Sequence, residues 1–547
     1  MDRADVIIVG GGLAGLVTAS EAVKRGRKVV ILDQEGPQSL GGQAFWSLGG
    51  LFMINTPEQR RMGIRDSRDL AGSDWMGTAG FDRPEDETAK AFAETYLDFA
   101  AGEMRPWLHG LGMRWFPAVG WAERGGGPAD GHGNSVPRFH LTWGTGPGVL
   151  GPFLKLAREA EAAGALTIAY RHRVSDLILE AGRVKGVEGE VLAEAGEERG
   201  VSTSRDVVGT FSMTAEAVVL ASGGMGGDHD QVRRHWPVDR LGPAPKEMIT
   251  GVPEFVDGKM LERAGAQGAR LVNTDRMWHY PEGLRNYAPI WPKHGIRVLP
   301  GPSSMWFDAL GQRLEAPNFP GFDALGTLKR ILETGHSHSW FVLNQKIIEK
   351  EFALSGSEQN PDITSGTWRQ VLKTRAGKGA PKPVEAFKRK GEDFVVAKDW
   401  KALVEGMNRL TPEAPLDGDA VLKQIEARDR QVGNRFCKDA QVIALRGARK
   451  YRGDRLIRTA KPHEILDPAH GPLIAVRLNV LTRKSLGGLQ TDLEGRVFGQ
   501  TGEILEGLFA VGEAAGFGGG GVHGYSALEG TFLGSCIFSG RQAGRAV

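Results

Sequence analysis

The sequence predicts an α/β protein whose parallel sheet is assembled from both ends of the chain around an inserted α+β domain. Three stretches predict it. Residues 5–9 (DVIIV) are a short apolar run leading into Gly10, Gly12 and Gly15, spaced as G-x-G-x-x-G. Residues 217–224 (AVVLASGG) are a second apolar run ending in small residues, and 505–513 (LEGLFAVGE) a third, running into Gly512 and Glu513. Strands covered on both faces read as continuous hydrophobic runs of this kind.

The first unit has a mechanical reason for each residue. Gly10 permits a tight turn, Gly12 lets backbone approach a pyrophosphate, and Gly15 lets a helix over 13–25 pack closely on the strand. Leu13 and Ala14 open that helix, where unpaired N–H groups and the positive dipole end favour phosphate. The next strand, KVVIL at 28–32, ends on Asp33 and Gln34, about 20 residues on, where a carboxylate can take ribose hydroxyls. A nicotinamide enzyme has no need of a second glycine-rich strand end some 500 residues away. An FAD enzyme has, because ribityl and isoalloxazine run across the sheet to the chain's other end. Ala221, Ser222 and Gly223, at the end of the middle strand, should abut the cofactor. The expected fold is therefore a Rossmann-like FAD-binding domain of the glutathione-reductase type.

These elements resemble the fumarate reductase/succinate dehydrogenase flavoprotein superfamily, and within it the branch of 3-ketosteroid Δ1-dehydrogenase-like FAD-binding dehydrogenases. The family's paired glycines beside the flavin correspond to Gly41-Gly42-Gln43-Ala44 and Ser47-Leu48-Gly49-Gly50. Its C-terminal GG-x-x-T-D … GR-V … GL-x-A-x-GE-A pattern corresponds to 487–515. The resemblance implies that Val174 passes the adenine, that Glu513 meets the ribityl, and that Ala527 and Leu528 lie at the flavin. It divides the chain into 1–276 (FAD-binding), 277–462 (inserted α+β cap or substrate domain) and 463–547 (return to the FAD-binding domain).

Several classes are excluded. A chain of 547 residues should hold more than one domain. A net charge of +2 implies no nucleic-acid or membrane-surface binding, and no run approaches the ~18 apolar residues of a membrane span. Cys437 and Cys536 form neither a metal-ligand spacing nor a disulfide framework. The first strand begins at residue 5, leaving no room for a signal peptide, so a cytoplasmic location is expected. Dicarboxylate chemistry is excluded too. The family's substrate arginine is replaced by Ala527, and its histidine before GG-x-x-T-D by Arg483-Lys484-Ser485. A planar guanidinium clamp on a carboxylate is not replaced by loose lysines. The stretch 39–47 (SLGGQAFWS) has no histidine to tether the flavin, so FAD should be noncovalent.

The ketosteroid branch places a tyrosine in the last glycine-rich loop, where Tyr525 stands. The resemblance implies that Tyr525 polarises a substrate carbonyl while a cap tyrosine takes the proton. With six tyrosines in the chain, Tyr280 and Tyr287 are the cap candidates. Glu529 replaces a family glycine, and a carboxylate there would oppose a developing enolate unless protonated or turned away. His523 reads as bonding the glycine-rich turn or, less commonly for such a loop, as catalytic. The expected function is removal or addition of hydride and proton at adjacent carbons of an apolar carbonyl compound, such as a ketosteroid or cyclic ketone. Its partners are that small molecule and an electron acceptor or donor that the sequence does not identify. An electron-transfer or regulatory flavoprotein without its own dehydrogenase activity is the alternative.

Overall fold

The computed structural model describes residues 3–126, 132–365, 367–375 and 379–547. Met1 and Asp2, on which the expected leaderless start partly rests, lie outside them.

The three apolar runs pair as neighbours. A six-stranded sheet runs Arg496–Phe498, Ile504–Ala510, Ala217–Leu220, Val6–Val9, Val29–Asp33 and Leu166–Tyr170, with only the Arg496–Phe498 edge antiparallel. Three of its inner strands are buried on both faces, which is why residues 6–9, 29–32 and 218–220 are all Val, Ile or Leu. The helices Leu13–Lys24 and Thr531–Ala546 cover one face and touch. Their approach is close enough that a Cβ on Gly540 would sit 2.6 Å from the Ala14 carbonyl oxygen. Gly15 has the packing role expected of it, since a Cβ there would meet the Gly10 carbonyl at 2.2 Å. An antiparallel trio, His172–Glu180, Arg183–Leu192 and Val207–Thr214, occupies the interval between Leu166–Tyr170 and Ala217–Leu220.

A second, eight-stranded sheet follows the order Met305–Asp308, His338–Asn344, Leu473–Ser485, Met277–Arg285, Gly295–Leu299 and Ala353–Leu354. Ile249–Thr250 and Phe394–Ala397 also pair with Leu473–Ser485. This corrects the expected return at residue 463. Leu473–Ser485 is the central strand of the inserted sheet, and the chain regains the parallel sheet only at Arg496. No helix among the described residues is long and apolar enough to cross a membrane.

Candidate active site

A cavity of about 590 Å³ opens where the two sheets meet. At one end lies the uncapped N-terminus of Leu13–Lys24, whose first amides have no partner within the helix. Gly10 is held at φ 106°, and a Cβ there would lie 2.6 Å from the Ala221 carbonyl oxygen. A Cβ on Gly12 would meet nothing within 4 Å, so this turn leaves room for a ligand. Asp33 accepts the amides of Gly11 (2.8 Å) and Glu35 (2.9 Å), and burial pushes its carboxyl up to about 6. Farther along, Glu513 accepts from Gln43 Nε2 (2.8 Å) and the Ser485 amide (2.9 Å), its carboxyl also raised by burial.

Most of the expected cofactor residues line this cavity: Gly10, Gly12, Leu13, Ala14, Asp33, Gln34, Gly42, Gln43, Ser47, Gly49, Gly50, Val174, Ala221, Ser222, Gly223, Gly512 and Glu513. Gly15 and Gly41 stand behind it; the Gly41 amide ties its loop to the Gly11 carbonyl at 2.9 Å. Ala527 and Leu528 are corrections. They face a small separate recess with Glu123 and Phe322, on the far side of Glu529.

The far end of the cavity is a charged wall. The Tyr280 hydroxyl donates to Glu529 Oε1 (2.7 Å) and accepts from Lys484 Nζ (2.9 Å). Arg297 stacks on the Tyr280 ring at 3.8 Å and reaches Glu529 (2.8 Å), Glu123 (2.5 Å) and Glu282 (3.4 Å). Trp278 Nε1 also donates to Glu529, at 3.3 Å. Burial alone would raise the Glu529 carboxyl, but Lys484, Arg297 and these donors hold it to about 2. It is therefore ionised and on the cavity, neither protonated nor turned away. Burial, with Arg483 and Arg297 nearby, brings Lys484 down to about 7. Burial and Glu529 push the Tyr280 phenol well above its usual value. Glu123 and Glu282 are raised by burial.

Tyr525, Tyr287 and His523 are not on this cavity. The Tyr525 hydroxyl donates to Asp82 (3.0 Å), and its ring lies between Arg240 (3.7 Å) and Arg276 (4.0 Å). Gly524 sets that direction: its Cβ position falls 2.2 Å from the Ala79 carbonyl, which accepts the Tyr525 amide at 2.7 Å. Tyr287 is exposed, edge-on to Phe387. His523 is fully buried against Trp75 and Phe532 and pushed down by burial to about 3, a neutral packing residue. Conversely, Arg297, Lys484, Glu123 and Glu282 were not anticipated. The legible signal was the adjacent basic pair Arg483-Lys484 near the end of the Leu473–Ser485 strand.

The FAD binding domain model matches residues 5–533. The chain belongs to that family. FAD is accordingly its cofactor, and the cavity fits it, with an uncapped helix N-terminus for pyrophosphate and buried carboxylates at Asp33 and Glu513 for its hydroxyl groups. Over 542 residues, covering 99% of this chain and 95% of the relative, it is 58% identical to a KsdD-like steroid dehydrogenase of Mycobacterium tuberculosis. A KsdD-like steroid dehydrogenase of Mycolicibacterium smegmatis is 58% identical over 533 residues, 97% of this chain and 96% of the relative. Among solved structures, the 3-ketosteroid Δ1-dehydrogenase of Sterolibacterium denitrificans, in complex with 1,4-androstadiene-3,17-dione, superposes with a TM-score of 0.67. It is 17% identical and covers 100% of this chain and 99% of its own. A flavocytochrome c3 fumarate reductase superposes at 0.63 with 18% identity, covering 100% and 78%. At these identities the two structures establish a shared mixed α/β fold.

Proposed function

We propose that this protein is an FAD-dependent dehydrogenase acting on a CH–CH bond of a 3-ketosteroid. The observation that carries this is the 58% identity, over nearly the whole chain, to steroid dehydrogenases. The parallel sheet is read as a Rossmann-like domain holding FAD noncovalently, and residues 277 to about 485 as its cap. Bound FAD supplies the hydride acceptor. The chain supplies the proton acceptor.

Tyr280 is the surviving cap candidate, because it lies on the cavity and Tyr287 does not. A phenol raised by burial cannot wait as tyrosinate, so it can take a substrate proton at Oη only by giving up its own. Glu529, held near 2, is a poor recipient. Lys484, brought to about 7, is a competent one: as a neutral amine it offers a lone pair, so the phenol O–H turns from Glu529 to Nζ, passes its proton across the same 2.9 Å contact and leaves an ammonium. The role of Tyr525 in polarising a carbonyl passes to Arg483. Arg483 lines the same cavity, whereas Arg297 is already engaged by three carboxylates.

The direct test is anaerobic reduction of the bound flavin by a panel of 3-ketosteroids and cyclic ketones, with succinate and fumarate as controls. Ketosteroids should bleach the flavin. Turnover of fumarate, or bleaching by none of the ketones, would overturn the reading.

A further inference from the structure

The whole-chain charge of +2 conceals an uneven surface. Between residues 430 and 461, eight lysine and arginine residues are exposed and no aspartate or glutamate is. The two acids in this stretch are engaged elsewhere. Asp439 caps the helix Ala440–Ala448 and pairs with Arg313 at 2.6 Å, while Asp454 pairs with Arg124 at 2.7 Å. Four large apolar side chains stand among the cations: Phe436 is 79% exposed, Ile443 51%, Leu456 57% and Ile457 54%. They share one connected surface. Arg446 binds the carbonyls of Val432 and Asn434, and Arg449 binds that of Thr459, tying both flanking segments to the same helix.

This surface backs directly onto the cavity wall. Arg458 Nη2 donates to the carbonyl of Leu299, which lines the cavity, at 2.6 Å. The Tyr451 hydroxyl donates to the Val119 carbonyl, three residues before cavity-lining Ala122.

We infer that this face docks the protein peripherally on an anionic lipid surface, setting the 119–124 and Leu299 wall of the cavity toward the bilayer. The occupant follows from the chemistry of the patch. Cations alternating with isolated apolar side chains match the headgroup boundary, where charge meets phosphate and the apolar groups enter shallowly. A second copy of this chain would place like charges face to face, which an isologous contact disfavours. Nucleic acid would satisfy the cations and leave Phe436 and the aliphatic residues in water. Whole-chain charge misses the face because acids elsewhere balance it.

The docking does not depend on the substrate reading, and its assay does not use turnover. FAD-loaded full-length protein is sedimented with vesicles of phosphatidylcholine alone or mixed with phosphatidylglycerol. Binding should require the anionic lipid and weaken as salt screens it. Each basic residue at such a surface is worth roughly fivefold in partitioning, so Lys438→Glu, Lys450→Glu and Arg452→Glu together should reduce it at least ~100-fold. Phe436→Ser with Ile443→Ser should reduce it several-fold, both variants keeping wild-type flavin content. Equal binding to neutral vesicles, no binding to either kind, or full binding by the triple variant would overturn the proposal. So would tighter binding to duplex DNA, or a dimer that the Ser variants dissolve.

Discussion

Tyr280→Phe removes one oxygen at the centre of the charged wall, and its effects on stability and rate should separate. Two charge-assisted hydrogen bonds are lost, to Glu529 at 2.7 Å and from Lys484 at 2.9 Å. Such bonds are worth roughly 1.5–3 kcal/mol each, but the cost is not their sum. Glu529 keeps Arg297 at 2.8 Å and Trp278 at 3.3 Å. The loss falls mainly on the lysine amine, which at about 7 can become neutral instead of remaining an unpaired buried charge. We therefore expect a stability loss of about 1–3 kcal/mol, with FAD still bound. Removal of a general base typically costs 10²–10⁴-fold, so flavin reduction by an active ketosteroid should slow at least ~100-fold. Stopped-flow bleaching under anaerobic conditions reads the rate, and thermal unfolding reads the stability. A variant that folds, binds FAD and reduces within about tenfold of wild type would refute the assignment of Tyr280 as proton acceptor.

The other expectations test the cofactor end, the proton's destination and the displaced candidate. Lys484 takes the phenol proton only as a neutral amine, so wild-type flavin reduction should rise with pH through about 7 and level off above it. Lys484→Met should be slow and lack that limb; a wild-type rate flat across this range would exclude the amine. Tyr525→Phe should leave flavin reduction within about threefold of wild type, because a hydroxyl bonded to Asp82 outside the cavity contributes nothing specific to the transition state. A 100-fold loss would restore Tyr525 to the reaction. Asp33→Ala removes a buried acceptor of two amides at the cofactor end, and FAD retained after dialysis should fall by one to two orders of magnitude on the ~1.5–3 kcal/mol scale of such contacts. Unchanged occupancy would show that Asp33 only braces its own turn.

The cofactor half of the site was legible because its information is local. Gly10, Gly12 and Gly15 answer to backbone geometry within one strand-turn-helix, and 505–513 carries its own hydrophobic run and glycine. The substrate half was not, because its members meet through strand register. Trp278 faces Lys484 and Tyr280 faces Leu481 across the pairing of Met277–Arg285 with Leu473–Ser485, with a bulge between them. No spacing in the chain announces that residues 280, 297, 484 and 529 will converge. The same non-local pairing hid the domain boundary, since nothing in the composition of Leu473–Ser485 says which sheet it joins. Tyr525 was misplaced for a different reason. The loop motif that suggested a carbonyl-polarising role says nothing of Arg240, Arg276 and Asp82, which hold its ring and hydroxyl.

Glu529 explains why the proton has to travel away from the nearest carboxylate. Burying five ionisable side chains and a phenol together is costly, and a fold tolerates it only when the charged groups are paired. Here the ionisation is divided unevenly. Glu529 receives Arg297, Tyr280 and Trp278 and is held to about 2, whereas Glu123 and Glu282 are pushed upward by burial against the same guanidinium. Coupled groups of this kind titrate as a set, so a proton arriving at the wall goes to whichever member binds it most tightly and lies within reach. Glu529 is within reach of Tyr280 but too acidic to keep it, and neither Glu123 nor Glu282 bonds the phenol. Lys484 meets both conditions. In the proposed relay, a residue that stands as an obstacle to an enolate serves as the fixed negative charge that holds the resting phenol O–H and opposes the fall that burial imposes on the Lys484 amine, while being too acidic to keep the proton itself.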